Sequence, residues 1–183
     1  KVLQNFTTIN QSLSFREGRK LRTMSPMKNV LAEAEIEEYI PKDFAIYDLP
    51  QFLNTLALYR DPEVDVSTNP NFANIKAGAH QRSKYFFSDP SVIIAPPEKE
   101  MKLPSEDVTF VLDEDKLTKI LKSAAILVNQ TDKNFSFNFK IENIKLVPGT
   151  YSVSISSKNL ARFYSETYQL TYFIALEPDS TYE

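Results

Sequence analysis

Residues 43–66 change their hydrophobic period twice. A short apolar run at 44–47 is followed by apolar residues at helical spacing, namely Leu49, Phe52, Leu53 and Leu56. Asp48 stands where a helix N-cap belongs, and Asp61-Pro62 disfavours helix beyond it. The pattern therefore predicts a short strand and then a helix over 48–60. The polar positions of this helix include Gln51 and Asn54 but no carboxylate.

The same two periods predict strands and helices in both halves of the chain. Two-residue alternation or short apolar runs predict strands at 13–23, 30–40, 64–66, 75–77, 84–87, 108–112, 135–139, 151–156 and 168–176. Three-to-four-residue spacing predicts further helices at 1–10, 113–127 and 141–147. The order of elements is similar in the two halves, so we predict an α+β fold with a weak internal duplication.

A proline-containing segment separates the two halves. Residues 93–107 contain three prolines and no hydrophobic period, which is typical of an extended connector. We therefore predict an N-terminal domain at 1–97, a connector at 98–107 and a C-terminal domain at 108–183.

The helix predicted at 113–127 has two chemically distinct sides. Asp113 is its predicted N-cap, and Leu117, Ile120 and Leu121 fall on an apolar side. The other side carries three lysines spaced three apart, Lys116, Lys119 and Lys122.

Composition bounds the kinds of function. The 183 residues are 42% hydrophobic and 25% charged, which favours a folded protein of one or two domains. The formal net charge of -3 means that a nucleic-acid site would need an uneven placement of charge. The absence of cysteine excludes disulfides and Cys-based zinc sites. No apolar run approaches the ~20 residues of a membrane span, so no membrane contact is predicted.

Carboxylates are unevenly distributed between helices and strands. Residues 1–10, 49–60 and 116–130 contain no Asp or Glu, whereas 32–40 contain four and 61–65 contain three. A helix surface without carboxylates and with lysines suits sequence-independent contact with phosphates. A lysine stripe opposite an apolar side is, however, more often only a solvated surface. Both interpretations remain open from the residues alone.

Signals for catalysis are weak. His80 is the only histidine, and Gly18, Gly78 and Gly149 are too far apart for a phosphate-binding loop. Carboxylates are abundant, but no spacing singles out a metal site. We therefore predict no catalytic residue, no metal, no cofactor and no enzyme activity, and a carboxylate-dependent metal enzyme is a distant alternative.

Several stretches together carry a family resemblance. They include LQNFTTIN, AEAEI, DFAIYDLPQFL, SDPSVIIAP, FNFKIENIKLVPGTY and IALEPDST, and they extend from residue 3 to residue 181. In this order and spacing the chain resembles the sliding clamp of T-even-type bacteriophages. The β-rich structural or assembly proteins of a phage particle are the alternative class, because they would show similar alternation.

The resemblance implies a DNA-clamp fold and a function without chemistry. Each subunit would carry two similar domains, with sheets outside and helices lining a ring. The ring would be a homotrimer that encircles duplex DNA and tethers the replicative DNA polymerase. A clamp loader would be a further partner, late transcription a further role, and the host bacterial cytoplasm the location.

The resemblance also implies two groups of site residues. The DNA-facing residues would be Lys1, Arg60, Lys116, Lys119, Lys122, Lys140 and Lys145. A pocket for partner peptides would be formed by Leu103, Ile174, Leu176 and Pro178. For Ile174 and Leu176, ordinary packing in the core is an equally good interpretation.

One departure from the family bears on the ring. The family has additional strands between the positions of Leu127 and Phe135, where this chain has seven residues. With only three glycines and Lys1 as first residue, we expect that residues are missing from this numbering. A true shortening would put the ring contact in doubt. A closed ring is expected to pair exposed sheet edges, such as that of the strand at 151–156.

Overall fold

The computed structural model describes residues 1–127 and 146–176 of the chain. In the first half the elements are α1 (Val2–Phe6), β1 (Leu13–Phe15), β2 (Gly18–Met24), β3 (Val30–Ile40), β4 (Phe44–Ile46), α2 (Leu49–Ala57), β5 (Glu63–Asp65), β6 (Phe72–Ala77), β7 (Gln81–Phe86) and a 3-10 turn (Pro90–Val92). In the second half they are β8 (Val108–Leu112), α3 (Glu114–Leu127), β9 (Tyr151–Ser156), β10 (Leu160–Ser165) and β11 (Leu170–Ala175).

The largest sheet takes strands from both halves of the chain. Its order is β2-β3-β11-β10-β9-β8, and all of its neighbouring strands are antiparallel. The halves meet where β3 pairs with β11, with Val30 opposite Ile174 and Ala34 opposite Leu170. A three-stranded sheet β5-β6-β7 and a two-stranded sheet β1-β4 complete the fold. The predicted α+β class is confirmed, and the boundary at 98–107 stays a prediction.

One hydrophobic core connects the halves and contains a small hydrogen-bonded group. Tyr151 and Tyr172 are fully buried in the same core cluster as Phe6 of α1. The Tyr172 hydroxyl donates to Asn5 Oδ1 at 2.6 Å, and the Tyr151 hydroxyl donates to Val147 O at 2.5 Å. Burial raises the pKa of Tyr172 to about 12, so its hydroxyl stays protonated as a donor. The bond from Tyr172 to Asn5 holds α1 against the second half.

The local signals around α2 are confirmed. Asp48 Oδ1 accepts a hydrogen bond from the Gln51 N–H at 2.8 Å, which satisfies one of the free N–H groups at the start of the helix. Pro50 lies in the first turn, where its missing N–H costs nothing. The helix ends at Ala57, three residues before the predicted end. Strands β3, β8 and β9 begin and end where the alternation predicted them.

The single strand predicted at 13–23 is wrong, because the chain turns at 16–18 and β1 and β2 lie in different sheets. Asp43 stabilises this turn by accepting hydrogen bonds from the Arg16 side chain and the Glu17 N–H, each at 2.7 Å. Gly18 has φ +121°, a conformation that residues with a Cβ rarely adopt.

Two further expectations for the second half are corrected. The strand at 151–156 is not a sheet edge, because β9 lies between β8 and β10. Strand β10 was missed, since LARFYS alternates only weakly in hydrophobicity. Within the described sheets the edges are β2 and β8, β5 and β7, and both strands of the pair β1-β4. The predicted strand at 135–139 lies outside the described residues.

Candidate nucleic-acid interface

The first candidate surface is formed by α1 and α2, which pack against each other. The Leu49 N–H donates to Gln11 O at 2.7 Å and so ties the start of α2 to the segment after α1. Phe6 of α1 and Phe52 of α2 are buried. The opposite sides expose neutral polar residues such as Gln4, Gln51 and Asn54. Neither helix contains a carboxylate.

The sheet β5-β6-β7 supports α2 from one side. The Tyr85 ring meets the Phe52 ring edge-on at 4.9 Å, and the Tyr85 hydroxyl donates to Asp48 O at 3.0 Å. The hydroxyls of Tyr59 and Ser83 form a further hydrogen bond. Because Ser83 and Tyr85 lie on one face of β7, that face of the sheet holds the helix in position.

The predicted cations of the first half lie at the ends of these helices. Lys1 is exposed at the N-cap of α1, and Arg60 is exposed shortly after α2. Neither makes an ion pair with any residue that the structure describes. The surface of α1 and α2 is therefore neutral along the two helices, with Lys1 before α1, Arg60 after α2 and the Asp48 carboxylate at the start of α2.

The second candidate surface is the lysine side of α3. Lys116, Lys119 and Lys122 are all exposed. Lys116 Nζ lies 2.8 Å from Asp113 Oδ2, and this hydrogen bond lowers the pKa of Asp113 and raises the pKa of Lys116. Lys119 and Lys122 have no ion pair among residues 1–127 and 146–176. Lys116 is thus partly neutralised, and the other two lysines carry the free positive charge.

The apolar side of α3 is only partly buried. Leu117 is buried, but Ile120 is 54% exposed and Leu121 is 37% exposed. Of these three residues on the predicted apolar side, only Leu117 is buried. Lys140 and Lys145 lie outside the described residues, and the predicted DNA-facing set stays a prediction.

A third candidate surface follows the connector along β2. The Arg22 guanidinium donates to Pro97 O at 2.7 Å and pairs through Nε with Glu33 Oε1 at 2.6 Å. Lys20 Nζ lies 3.4 Å from Glu100 Oε1. A shallow cleft lies here, lined by Pro97, Lys99, Glu100, Met101 and Lys102. Sequence analysis missed the anchoring role of Arg22, because the pairing of β2 with β3 that places it beside Glu33 is not a local signal.

The predicted partner-peptide residues occupy different environments. Leu103 follows the cleft directly and is half-buried. Leu176 is also half-buried, and its N–H donates to Asn159 O at 2.8 Å. Ile174 is 5% exposed and packs in the core, which agrees with the alternative interpretation of this residue. Pro178 lies outside the described residues, and the peptide pocket stays a prediction.

The expected absence of a catalytic residue stays a prediction. No three His, Asp or Glu side chains in these ranges lie close enough together to hold a metal ion. His80 is exposed in the hairpin between β6 and β7. None of the described helices is long and apolar enough to cross a membrane.

Two family models match the chain on either side of the connector. Residues 1–95 match the model described as DNA polymerase processivity factor, and residues 107–178 match the model described as gp45 sliding clamp, C terminal. The chain is 30% identical over 224 residues to the sliding clamp of Enterobacteria phage T4, with 100% of this chain and 96% of that protein covered. It is 27% identical over 222 residues to the sliding clamp of Escherichia phage RB69, with the same coverage.

Both alignments are longer than the 183 residues of this chain, so the relatives contain residues that this sequence lacks.

Solved structures show the same fold at lower identity. The PCNA of Thermococcus kodakaraensis superposes with a TM-score of 0.68 at 15% identity, covering 96% of this chain and 94% of that chain. The PCNA of A. fulgidus, solved with the C-terminal region of FEN-1, has a TM-score of 0.67 at 17% identity, covering 100% and 95%.

Proposed function

The chain belongs to the sliding-clamp family of DNA polymerase processivity factors, and we propose from this premise that it closes into a homotrimeric ring around duplex DNA. In the host bacterial cytoplasm the ring would be opened by a clamp loader, tether the replicative polymerase and also serve late transcription. We propose that it has no chemistry of its own.

The observation that carries this proposal is the surface of α1 and α2. Both helices bury apolar residues on one side and present neutral polar residues on the other, without a carboxylate. A carboxylate there would repel phosphates, so its absence suits a surface that a polyanion passes. This absence is selective, because the chain as a whole contains 24 Asp and Glu.

Retention on DNA would be topological and movement would be nearly free. Contacts to phosphates carry no sequence information, so a ring that touches only phosphates can slide from one base pair to the next. Lys119 and Lys122 would supply such contacts from the second half. A neutral surface with a few cations attracts the duplex without holding it at one position.

Partner proteins would bind at the connector cleft. Arg22 holds the connector to β2, so the cleft at 97–102 has a fixed wall. Leu103 and Leu176 are half-buried and would be the apolar contacts for a partner peptide. The archaeal PCNA solved with the C-terminal region of FEN-1 supports this proposal, because it shows that a protein of this fold binds a terminal segment of its partner.

The proposal is tested by reversing charge on α3. The double variant Lys119→Glu and Lys122→Glu should lose polymerase stimulation on primed circular DNA, because two phosphate contacts become repulsive. The matched control is Lys28→Glu with Lys158→Glu, which reverses two exposed lysines in strand-connecting turns. Sedimentation should give a trimer at sufficient concentration. Full polymerase stimulation by the α3 variant would remove these lysines from the DNA-facing set. A protein that is a monomer and does not stimulate the polymerase would overturn the proposed ring.

A further inference from the structure

The face of the sheet β5-β6-β7 that points away from α2 carries an unusual set of side chains. The register places Lys76 opposite Arg82, Asn74 opposite Lys84 and Phe72 opposite Phe86. Residues directly opposite each other share a face of an antiparallel sheet. From the other face Tyr85 contacts α2 and Ser83 contacts Tyr59 just after it. The residues at 72, 74, 76, 82, 84 and 86 therefore form a separate surface, which we call the outer basic face.

The cations of the outer basic face lack carboxylate partners. Elsewhere in the described ranges Arg16, Lys20, Arg22, Lys116 and Arg162 form ion pairs, whereas Lys1, Arg60, Lys119 and Lys122 form none. Lys76, Arg82 and Lys84 form none with any residue in the described ranges. Like charges directly opposite each other, as at Lys76 and Arg82, destabilise a sheet. An anionic ligand would relieve this repulsion.

The nearby carboxylates offset only part of the charge on this face, because Glu63 and Asp65 share it with three cations. Asp65 Oδ1 accepts hydrogen bonds from the N–H groups of Ser67 and Thr68 at 2.9 and 3.2 Å, and Oδ2 accepts from the Thr68 hydroxyl at 2.5 Å. The Asp65 side chain is therefore oriented by its own loop, although these bonds lower its pKa and it keeps its negative charge. Glu63 lies opposite Lys76 in the register, but no ion pair joins the two side chains in the described structure.

Two aromatic rings lie at one end of the row of cations on the outer basic face. Phe86 is 68% exposed, and its ring meets the Phe72 ring edge-on at 5.5 Å. The Lys84 ammonium lies 4.6 Å from the centre of the Phe72 ring, so Phe72 is already engaged. Phe86 is the ring that remains available. A large exposed ring beside cations favours a ligand that has both negative charge and flat apolar groups.

We propose that the outer basic face binds single-stranded nucleic acid. Phosphates would lie beside Lys76, Arg82 and Lys84, and one unpaired base would stack on Phe86. A cleft at this sheet is lined in part by Lys76, Arg82 and Lys84, and Asp65 also belongs to its lining. An acidic peptide would satisfy the cations but would have no need of a flat ring. The inference rests on the proposed function in one respect, since replication exposes single strands next to a clamp.

The test uses the whole protein and a labelled oligo(dT) in fluorescence anisotropy. The double variant Arg82→Gln and Lys84→Gln should weaken binding tenfold or more and lower the slope of log K against log salt by about 1.4, because each single-strand phosphate contributes about 0.7. Phe86→Ala should weaken binding by about fivefold or more with the salt slope unchanged, because stacking does not release counterions. The control is again Lys28→Glu with Lys158→Glu.

Three outcomes overturn the inference. The first is an unchanged oligo(dT) affinity in the Arg82 and Lys84 variant. The second is a loss of oligo(dT) affinity in the control as large as in that variant. The third is a polyglutamate peptide that binds more tightly than oligo(dT) and is insensitive to Phe86→Ala, since this would identify an acidic protein segment as the ligand. Thermal melting should shift by no more than a few degrees in any variant, because the substituted side chains are exposed and make only single contacts, such as that of Phe86 with Phe72.

Failure of this inference can be distinguished from failure of the proposed function. The Arg82 and Lys84 variant should retain polymerase stimulation on circular DNA, while the Lys119 and Lys122 variant should retain oligo(dT) binding. If the Arg82 and Lys84 variant keeps both polymerase stimulation and normal oligo(dT) binding, only the outer-face site is overturned. Oligo(dT) binding that falls in the α3 variant as strongly as in the outer-face variant would overturn the separation of the two surfaces.

Discussion

Helices α2 and α3 are similar in sequence pattern but differ in how they are packed. Each begins after an aspartate whose side chain accepts a hydrogen bond from an N–H of the first turn, at 2.8 Å in both cases. Leu49 and Phe52 of α2 are 0% and 5% exposed. On α3, Leu117 is 4% exposed while Ile120 is 54% exposed. Local signals start a helix equally well in both places, but the rest of the fold decides how much of its apolar side is covered.

The sheets beside these helices show the same contrast. Strands β5-β6-β7 and β9-β10-β11 are each three consecutive antiparallel strands. The outer side of β11 is paired with β3 from the first half, whereas β7 is an edge of the described three-stranded sheet. Two similar groups of three strands thus differ in whether a further strand pairs with their last strand. The following three experiments test this contrast.

The largest effect is expected from truncating a buried residue of α2. Leu49→Ala should lower the free energy of unfolding by about 2–5 kcal/mol, because it opens a cavity in the core. Ile120→Ala on α3 should change it by only about 0.5 kcal/mol, as expected for an exposed site. Urea unfolding of both variants measures the difference. Equal losses would mean that the apolar side of α3 is covered in solution, which would break the contrast.

A smaller effect is expected where the two regions are joined. Tyr172→Phe removes the hydroxyl that donates to Asn5 Oδ1 and accepts from the Val147 N–H, so it should cost about 1–3 kcal/mol. The matched control is Tyr164→Phe, whose exposed hydroxyl makes only a 3.4 Å contact with Gln169. Urea unfolding should separate the two variants. If they are equally stable, the buried hydrogen bonds do not hold α1 to the second half.

The smallest effect is expected at the start of α2. Asp48→Ala should cost about 1 kcal/mol, because it removes the acceptor for the Gln51 N–H. Asp48→Asn should be nearly neutral, because asparagine is an equally good N-cap. Thermal unfolding followed by circular dichroism measures both variants. A loss in Asp48→Asn as large as in Asp48→Ala would assign the effect to the charge rather than to the cap.

Features that depend on neighbouring residues could be predicted without the structure. The cap at Asp48, the bounds of β3, β8 and β9, and the exposure of Lys119 and Lys122 all follow from spacing within a few residues. The absence of carboxylates from α1 and α2 could also be read directly. These features are local because helix caps and side-chain periods act over one or two turns.

Which distant segments meet could be seen only in the folded protein. The pairing of β3 with β11 buries Ile174, and the pairing of β2 with β3 places Arg22 beside Glu33, where it can hold the connector. The hairpin register likewise brings Lys76 opposite Arg82 and creates the outer basic face. Strand pairing joins residues far apart in the chain, and a shift of one residue would turn every side chain to the other face, so local pattern does not specify it.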